Sequence, residues 1–205
     1  MAIVTPAGTL AHGTRPAHPA WTILDRGKDG RYAFVRFNVQ EISSPMQKAL
    51  PNLWPGNCFG CSPRNPHGLQ MHFHKSAEGC HAIVSLPAHL CGMEGVAHGG
   101  IVATLLDEAA AWTLAARAGR LALTIEMNIR FARPVPLERE LVAGATIIAR
   151  DEKRAQTHAS VKTADGKMLA EADASWTLLT TPVAARMTGL GRMEIETFIA
   201  AIEGD

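Results

Sequence analysis

"GVAHGGIVATLLDEAAAWTLAARAG" fills residues 95–119, and its reading decides how the rest of the chain has to fold. It opens with glycines around a histidine and then becomes almost wholly apolar, rich in Ala and Leu, both strong helix formers. Gly119 follows closely on Arg117, the order of a basic last turn and a glycine stop. The stretch predicts one long helix. A helix apolar nearly all round is wrapped by other structure rather than laid on a surface. Yet two adjacent carboxylates, Asp107 and Glu108, sit within it. An unpaired, charged carboxylate in such a wrapping costs roughly several kcal/mol. Two explanations stand: pairing with a base such as Arg130 or Arg133 or access to solvent at a subunit edge, or service in chemistry.

The flanking segments supply the wrapper. Residues 69–75 alternate Leu69, Met71 and Phe73 with Gln70, His72 and His74, a half-buried strand. Residues 80–86 follow after Ala77-Glu78-Gly79 and complete a hairpin. Downstream, residues 121–135, 140–150, 156–163 and 167–179 read as strands, the last two joined by Ala164-Asp165-Gly166, where Asp-Gly is a hairpin turn. The order is two strands, one long helix, then four strands in a meander. That predicts an α+β fold in which a single antiparallel sheet curls its apolar face around the helix.

The ends divide the chain further. Residues 1 to 20, rich in Pro, Ala, Gly and His, read as a loose arm. "RYAFVRFNV" (31–39) is either a strand or part of a helical extension. "SSPMQKALPNLWPGNCFGCSPRNPHG" (43–68) is a long, proline-punctuated loop. Near the other end Ile195, Phe198, Ile199 and Ile202 share one helical face, so a short C-terminal helix is expected. The expected division is an N-terminal arm and extension at 1–55, the main domain at 56–182, and a tail at 183–205.

Charge excludes some function classes. The 205 residues hold 20 Lys and Arg against 19 Asp and Glu, a net charge of +1. That argues against a nucleic-acid binder working through bulk charge. No apolar run reaches about 18 residues without a charge, so no membrane span is expected. The start carries early Pro and Gly and no basic cluster, unlike a secretory signal. Four cysteines in a chain of this length do not indicate a disulfide framework. A cytoplasmic protein with reduced thiols is the expectation.

At "CFGCSPRNPHGL" (58–69), "HGG" (98–100), Asp107 and "LTIEMNIRFARPV" (123–135) the chain resembles the hotdog-fold acyl-CoA thioesterase superfamily, in its phenylacetate-pathway-like branch. The resembling features span residues 56 to 180, with the carboxylate nine positions after the histidine. The resemblance implies a long helix inside a curled sheet, and a homodimer whose sheets join edge to edge, paired again in many relatives into a tetramer. It implies hydrolysis of an acyl-CoA thioester, with coenzyme A entering only as part of the substrate and no other cofactor. Asp107 takes the place of the nucleophile or general base; the sequence does not separate these roles. Gly99 would offer its backbone N–H to the thioester oxygen, with Gly100 beside it. Side-chain-free residues at a helix N-terminus suit that task, because unpaired donors there meet developing negative charge. Thr124 matches a Ser or Thr that positions the hydrolytic water in some relatives. His98 either contacts substrate or caps the loop, and Arg133 is a substrate-binding candidate. Arg130, Arg150, Lys153 and Arg154 are further candidates for the coenzyme A phosphates.

Glu108 lies about 100° around the helix from Asp107 and reads as structural. Cys58-x-x-Cys61 has zinc-like spacing, but no second close Cys or His pair accompanies it, and the resemblance implies a metal-free packing role. One departure stands out. Many relatives carry an Asn or Gln upstream of the histidine, where this chain has Gly92, Met93 and Glu94. The alternative function is therefore a hotdog module that binds acyl-CoA without hydrolysing it.

Helix geometry also constrains assembly. Gly99 and Asp107 are eight residues apart, about 12 Å along a helix, whereas a carbonyl carbon and its oxygen are about 1.2 Å apart. One helix cannot serve both atoms. The carboxylate must come from a second copy of the helix, so the site is expected to be shared across a dimer interface.

Overall fold

The computed structural model describes residues 49–203, and the expected arm and the 31–39 segment lie outside them. The elements run β1 (Phe73–Lys75), β2 (Gly79–Ser85), β3 (Cys91–Met93), β4 (Val96–Ala97), α1 (Gly99–Ala118), β5 (Ala122–Phe131), β6 (Glu140–Arg150), β7 (Arg154–Thr163), β8 (Met168–Leu178), α2 (Thr181–Thr188) and α3 (Arg192–Glu203). Six strands form one sheet in the order β1-β2-β6-β7-β8-β5, and every pairing is antiparallel. This is the hotdog architecture, a sheet curled around α1.

The helix ends where its sequence says it should. His98 is the N-cap, and its Nδ1 accepts the Gly100 N–H at 3.0 Å. Gly119 closes the helix at φ +62°, a left-handed conformation that glycine reaches without strain. Leu105, Leu106, Ala109, Ala110 and Leu114 are fully buried, so the helix is covered on several sides, as its lack of a polar face requires. Trp112 stacks on Phe73 with centroids 4.9 Å apart and meets Phe198 edge-on at 5.4 Å. The face of α3 read from its spacing is the packed one: Ile195, Phe198 and Ile202 are buried and Ile199 half-buried.

Four features differ from the sequence reading. The last four strands of the sheet are not a plain meander. Only β6, β7 and β8 follow one another; β5 crosses to pair with β8 at the far edge, and β2 takes the place beside β6. Strand periodicity fixes which face a strand buries but not its neighbour, and a long connection lets β5 reach either edge. The first strand is short: only residues 73–75 pair, because the loop before them is tied to the turn at 58–61 through Leu69 N–H to Phe59 O (2.8 Å) and Met71 N–H to Gly60 O (2.9 Å). The segment read as loop before His98 holds a small hairpin, β3 with β4, turning at Gly95 with φ +73°. Finally, α2 precedes the expected C-terminal helix, with Pro182 in its first turn, a position proline favours. Among the described residues no helix is long and apolar enough to cross a membrane.

Candidate active site

Asp107 lies on α1 facing β5, half-buried. Its Oδ1 accepts the Thr124 hydroxyl at 2.7 Å. Thr124 reaches it because β5 carries a bulge between Thr124 and Glu126. The extra residue re-aims the strand: Thr124, Met127 and Ile129 are half-buried, while Leu123 and Ile125 are each 50% exposed. Burial pushes the Asp107 carboxyl above its ordinary value, and the Thr124 hydrogen bond opposes that rise.

The two bases named for pairing with the carboxylates are engaged elsewhere. Arg130 pairs with Glu171 across β5 and β8, and Arg133 donates to the Met168 carbonyl at 2.7 Å. Among the described residues neither Asp107 nor Glu108 forms an ion pair. Asp107 is thus a carboxylate held by one neutral hydroxyl, poised between solvent and core.

The two glycines differ in what they have left to give. The Gly100 N–H is already donated to His98. The Gly99 N–H, at the first helical position, has no partner among the described residues. Gly99 is exposed, and a Cβ placed there would meet only the Phe131 ring, at 3.7 Å. His98 is the cap, one of the two roles read for it. Arg133 is exposed, with one guanidinium nitrogen engaged.

Sequence reading missed one link. Glu108, turned away from Asp107, meets the loop containing Cys58 and Cys61. The Cys58 thiol donates to Glu108 Oε1 at 2.9 Å, and a side chain at Gly60 would collide with Glu108. Residues 50 positions apart give no local signal. Cys58, Cys61 and Glu108 bring three donor atoms within 4.8 Å of one another, the one such group found among the described residues. Three donors are one short of the closed set of a structural zinc.

The comparisons with known proteins agree with this architecture. Residues 94–170 match the family model of the thioesterase superfamily, and they include the whole of α1 with Gly99 and Asp107. A solved thioesterase-superfamily protein of Bordetella bronchiseptica is 26% identical, covering 55% of this chain and 86% of its own, at a TM-score of 0.50. The Escherichia coli PaaI protein, from the phenylacetic acid degradation operon, is 19% identical over 55% of this chain and 81% of its own, at a TM-score of 0.51. Another superfamily member, 22% identical, covers 68% of this chain and 71% of its own at a TM-score of 0.55. The latter two likenesses are of fold. No curated protein matches the chain.

Proposed function

We propose that the protein hydrolyses an acyl-CoA thioester, with Asp107 as nucleophile or general base and the Gly99 N–H as the donor to the thioester oxygen. The observation that carries this is the half-buried Asp107, held at 2.7 Å by Thr124 and without an ion pair among the described residues. A structural carboxylate is ordinarily neutralised by a base, and among the described residues Asp107 has none. Thr124 both orients it and stands where a water could be positioned. The partnerless Gly99 N–H supplies preorganised positive potential, which is worth most where charge develops during the reaction. Gly100 supports Gly99 through the His98 cap. His98, through its other ring nitrogen, and Arg133 are assigned to the substrate, Arg133 by way of the coenzyme A phosphates.

The two halves of the machinery lie on one helix about 12 Å apart, so each site combines Gly99 of one protomer with Asp107 of a second. Support comes from β5. It is an edge strand, and it leaves Leu123, Ile125 and Phe131 at least half exposed beside Thr124 and Gly99. Apolar side chains along an unpaired strand edge favour pairing with another chain. A two-fold pairing here makes two equivalent sites at once, and a tetramer would pair such dimers. The balanced charge fits a small-molecule substrate rather than nucleic acid or a membrane surface, and we assign the cytoplasm as its place of work.

The test compares thiol release from a panel of acyl-CoAs by the wild type and Asp107→Asn. The variant keeps an acceptor for Thr124 and removes a costly charge, so it should melt no lower than the wild type. Its kcat should fall by about a thousandfold or more. Equal rates would remove Asp107 from the mechanism. Tight acyl-CoA binding without turnover by the wild type would favour the non-catalytic binding module, the reading that the missing upstream Asn or Gln motivates.

A further inference from the structure

We propose that Cys58 and Cys61 form a redox-active dithiol, with Cys58 the attacking thiol, Cys61 the resolving thiol, and a hydroperoxide as the oxidant. Nothing in the hydrolytic mechanism uses these residues, yet they are more than loop filler. Both sit on one tight turn, fixed by the Ser62 N–H to Cys58 O bond at 3.2 Å and by Asn52 Nδ2 donating to Cys61 O at 2.9 Å. Their sulfurs lie within 4.8 Å of each other, and both thiols are free. A disulfide needs an S–S distance of about 2 Å, within reach of side-chain rotation on a turn of this length.

The two thiols are not equivalent. Cys58 is half-buried, whereas Cys61 is only 5% exposed. Cys58 Sγ accepts the Gly60 N–H at 3.3 Å and lies 2.9 Å from Glu108 Oε1. A sulfur that accepts N–H donors while its own proton rests against a carboxylate is set up to act as a thiolate. The Cys61 thiol first, then Glu108 and the backbone N–H groups of Cys61 and Gly60, hold Cys58 down to about 5, while burial pushes Glu108 up to about 8. Cys61 is raised, first because its proton serves the Cys58 sulfur. That asymmetry separates an attacking thiol from a resolving one.

The chemistry balances. The Cys58 thiolate attacks one oxygen of hydrogen peroxide, the O–O bond breaks, and hydroxide leaves. The proton that Cys58 gave to Glu108 converts the hydroxide to water, and Cys58 is left as a sulfenic acid. The Cys61 sulfur then attacks the Cys58 sulfur. The S–O bond breaks, the S–S bond forms, and the Cys61 proton leaves with the hydroxyl as a second water. The dithiol loses two protons and two electrons, which reduce the peroxide.

The experiment uses the reduced, full-length protein, with bound metal measured beforehand. Limiting hydrogen peroxide is added, remaining thiols are alkylated, and intact mass and peptides are analysed. The wild type should lose two hydrogens through a Cys58–Cys61 bond that dithiothreitol reverses. Cys91, an exposed thiol elsewhere on the fold, is the internal control; Cys58 should react at least about tenfold faster. Cys61→Ser should stop at a Cys58 sulfenic acid captured by dimedone, and Cys58→Ser should form no bond to Cys61. The proposal is overturned if Cys91 is consumed as fast as Cys58 in the folded wild type. It is also overturned if no 58–61 bond forms, or if the pair is found to hold a stoichiometric zinc ion. The wild-type arm needs no variant to fold, and it stands whether or not the protein is a thioesterase.

Discussion

Asp107 and Thr124 form a unit whose parts can be told apart by pH. Burial raises the Asp107 carboxyl and the Thr124 hydrogen bond lowers it. In the proposed mechanism the ionised form is the active one, so kcat/KM should fall on the acid side, at a pH above the ordinary aspartate value. Removing the hydroxyl removes the lowering contribution. Thr124→Val should therefore move the acid limb to still higher pH and cost about ten- to a hundredfold in kcat/KM, the worth of one hydrogen bond to a charged group. Thr124→Ser should keep both the limb and most of the rate. The check is a pH–rate profile for the three proteins. A limb that stays in place in Thr124→Val would mean the 2.7 Å contact does not bear on catalysis.

Among the elements, the β1–β2 hairpin carries a titration of the opposite kind. His81, on β2, is 2% exposed and stacks on His74 with centroids 5.4 Å apart. Burial, with the His74 charge second, lowers it from 6.5 to about 4. The unfolded chain then binds a proton that the folded one refuses. Stability should be full above pH 6.5 and be lost as the pH falls through that value towards about 4, by up to about 3 kcal/mol. Glu108 and Asp107 run the other way, since a raised carboxyl loses stability as pH rises, so the comparison must be between variants. His81→Gln should flatten the acid side of a Tm-against-pH curve relative to the wild type. Parallel curves would show that His81 is not held neutral by the fold.

The same scale shows what a sequence can and cannot announce. Helix α1 was legible from end to end because an apolar run, a capping residue and a stop glycine agree. So was the packed face of α3. The crossing of β5 to the far edge was not, because alternation records faces rather than neighbours. The β3–β4 hairpin was hidden in a segment too short to show a period. At the site, Asp107 stood out as a charge within an apolar helix, its use open between pairing, solvent access and chemistry, and the family resemblance marked Gly99 and Thr124. The Cys58–Glu108 contact joins residues 50 positions apart, and neither neighbourhood carries a pattern that points to the other.

For the whole molecule the central claim is assembly. In the proposed mechanism half of the chemistry sits at the start of α1 and half in its middle, and a straight helix keeps them about 12 Å apart. The decisive measurement is complementation between two inactive variants. One is Asp107→Asn. The other is Gly99→Pro, which deletes the donor N–H at the first helical position, where proline is tolerated. His98 already has the extended backbone (φ −61°, ψ 137°) that a following proline requires. Each variant alone should be folded and inactive. Mixed and re-associated at equal amounts, half of the dimers should be mixed, each with one intact site of two, so about a quarter of wild-type activity should return. A mixture that stays inactive while mixed dimers demonstrably form, or a stable monomer that turns over an acyl-CoA, would contradict the shared site.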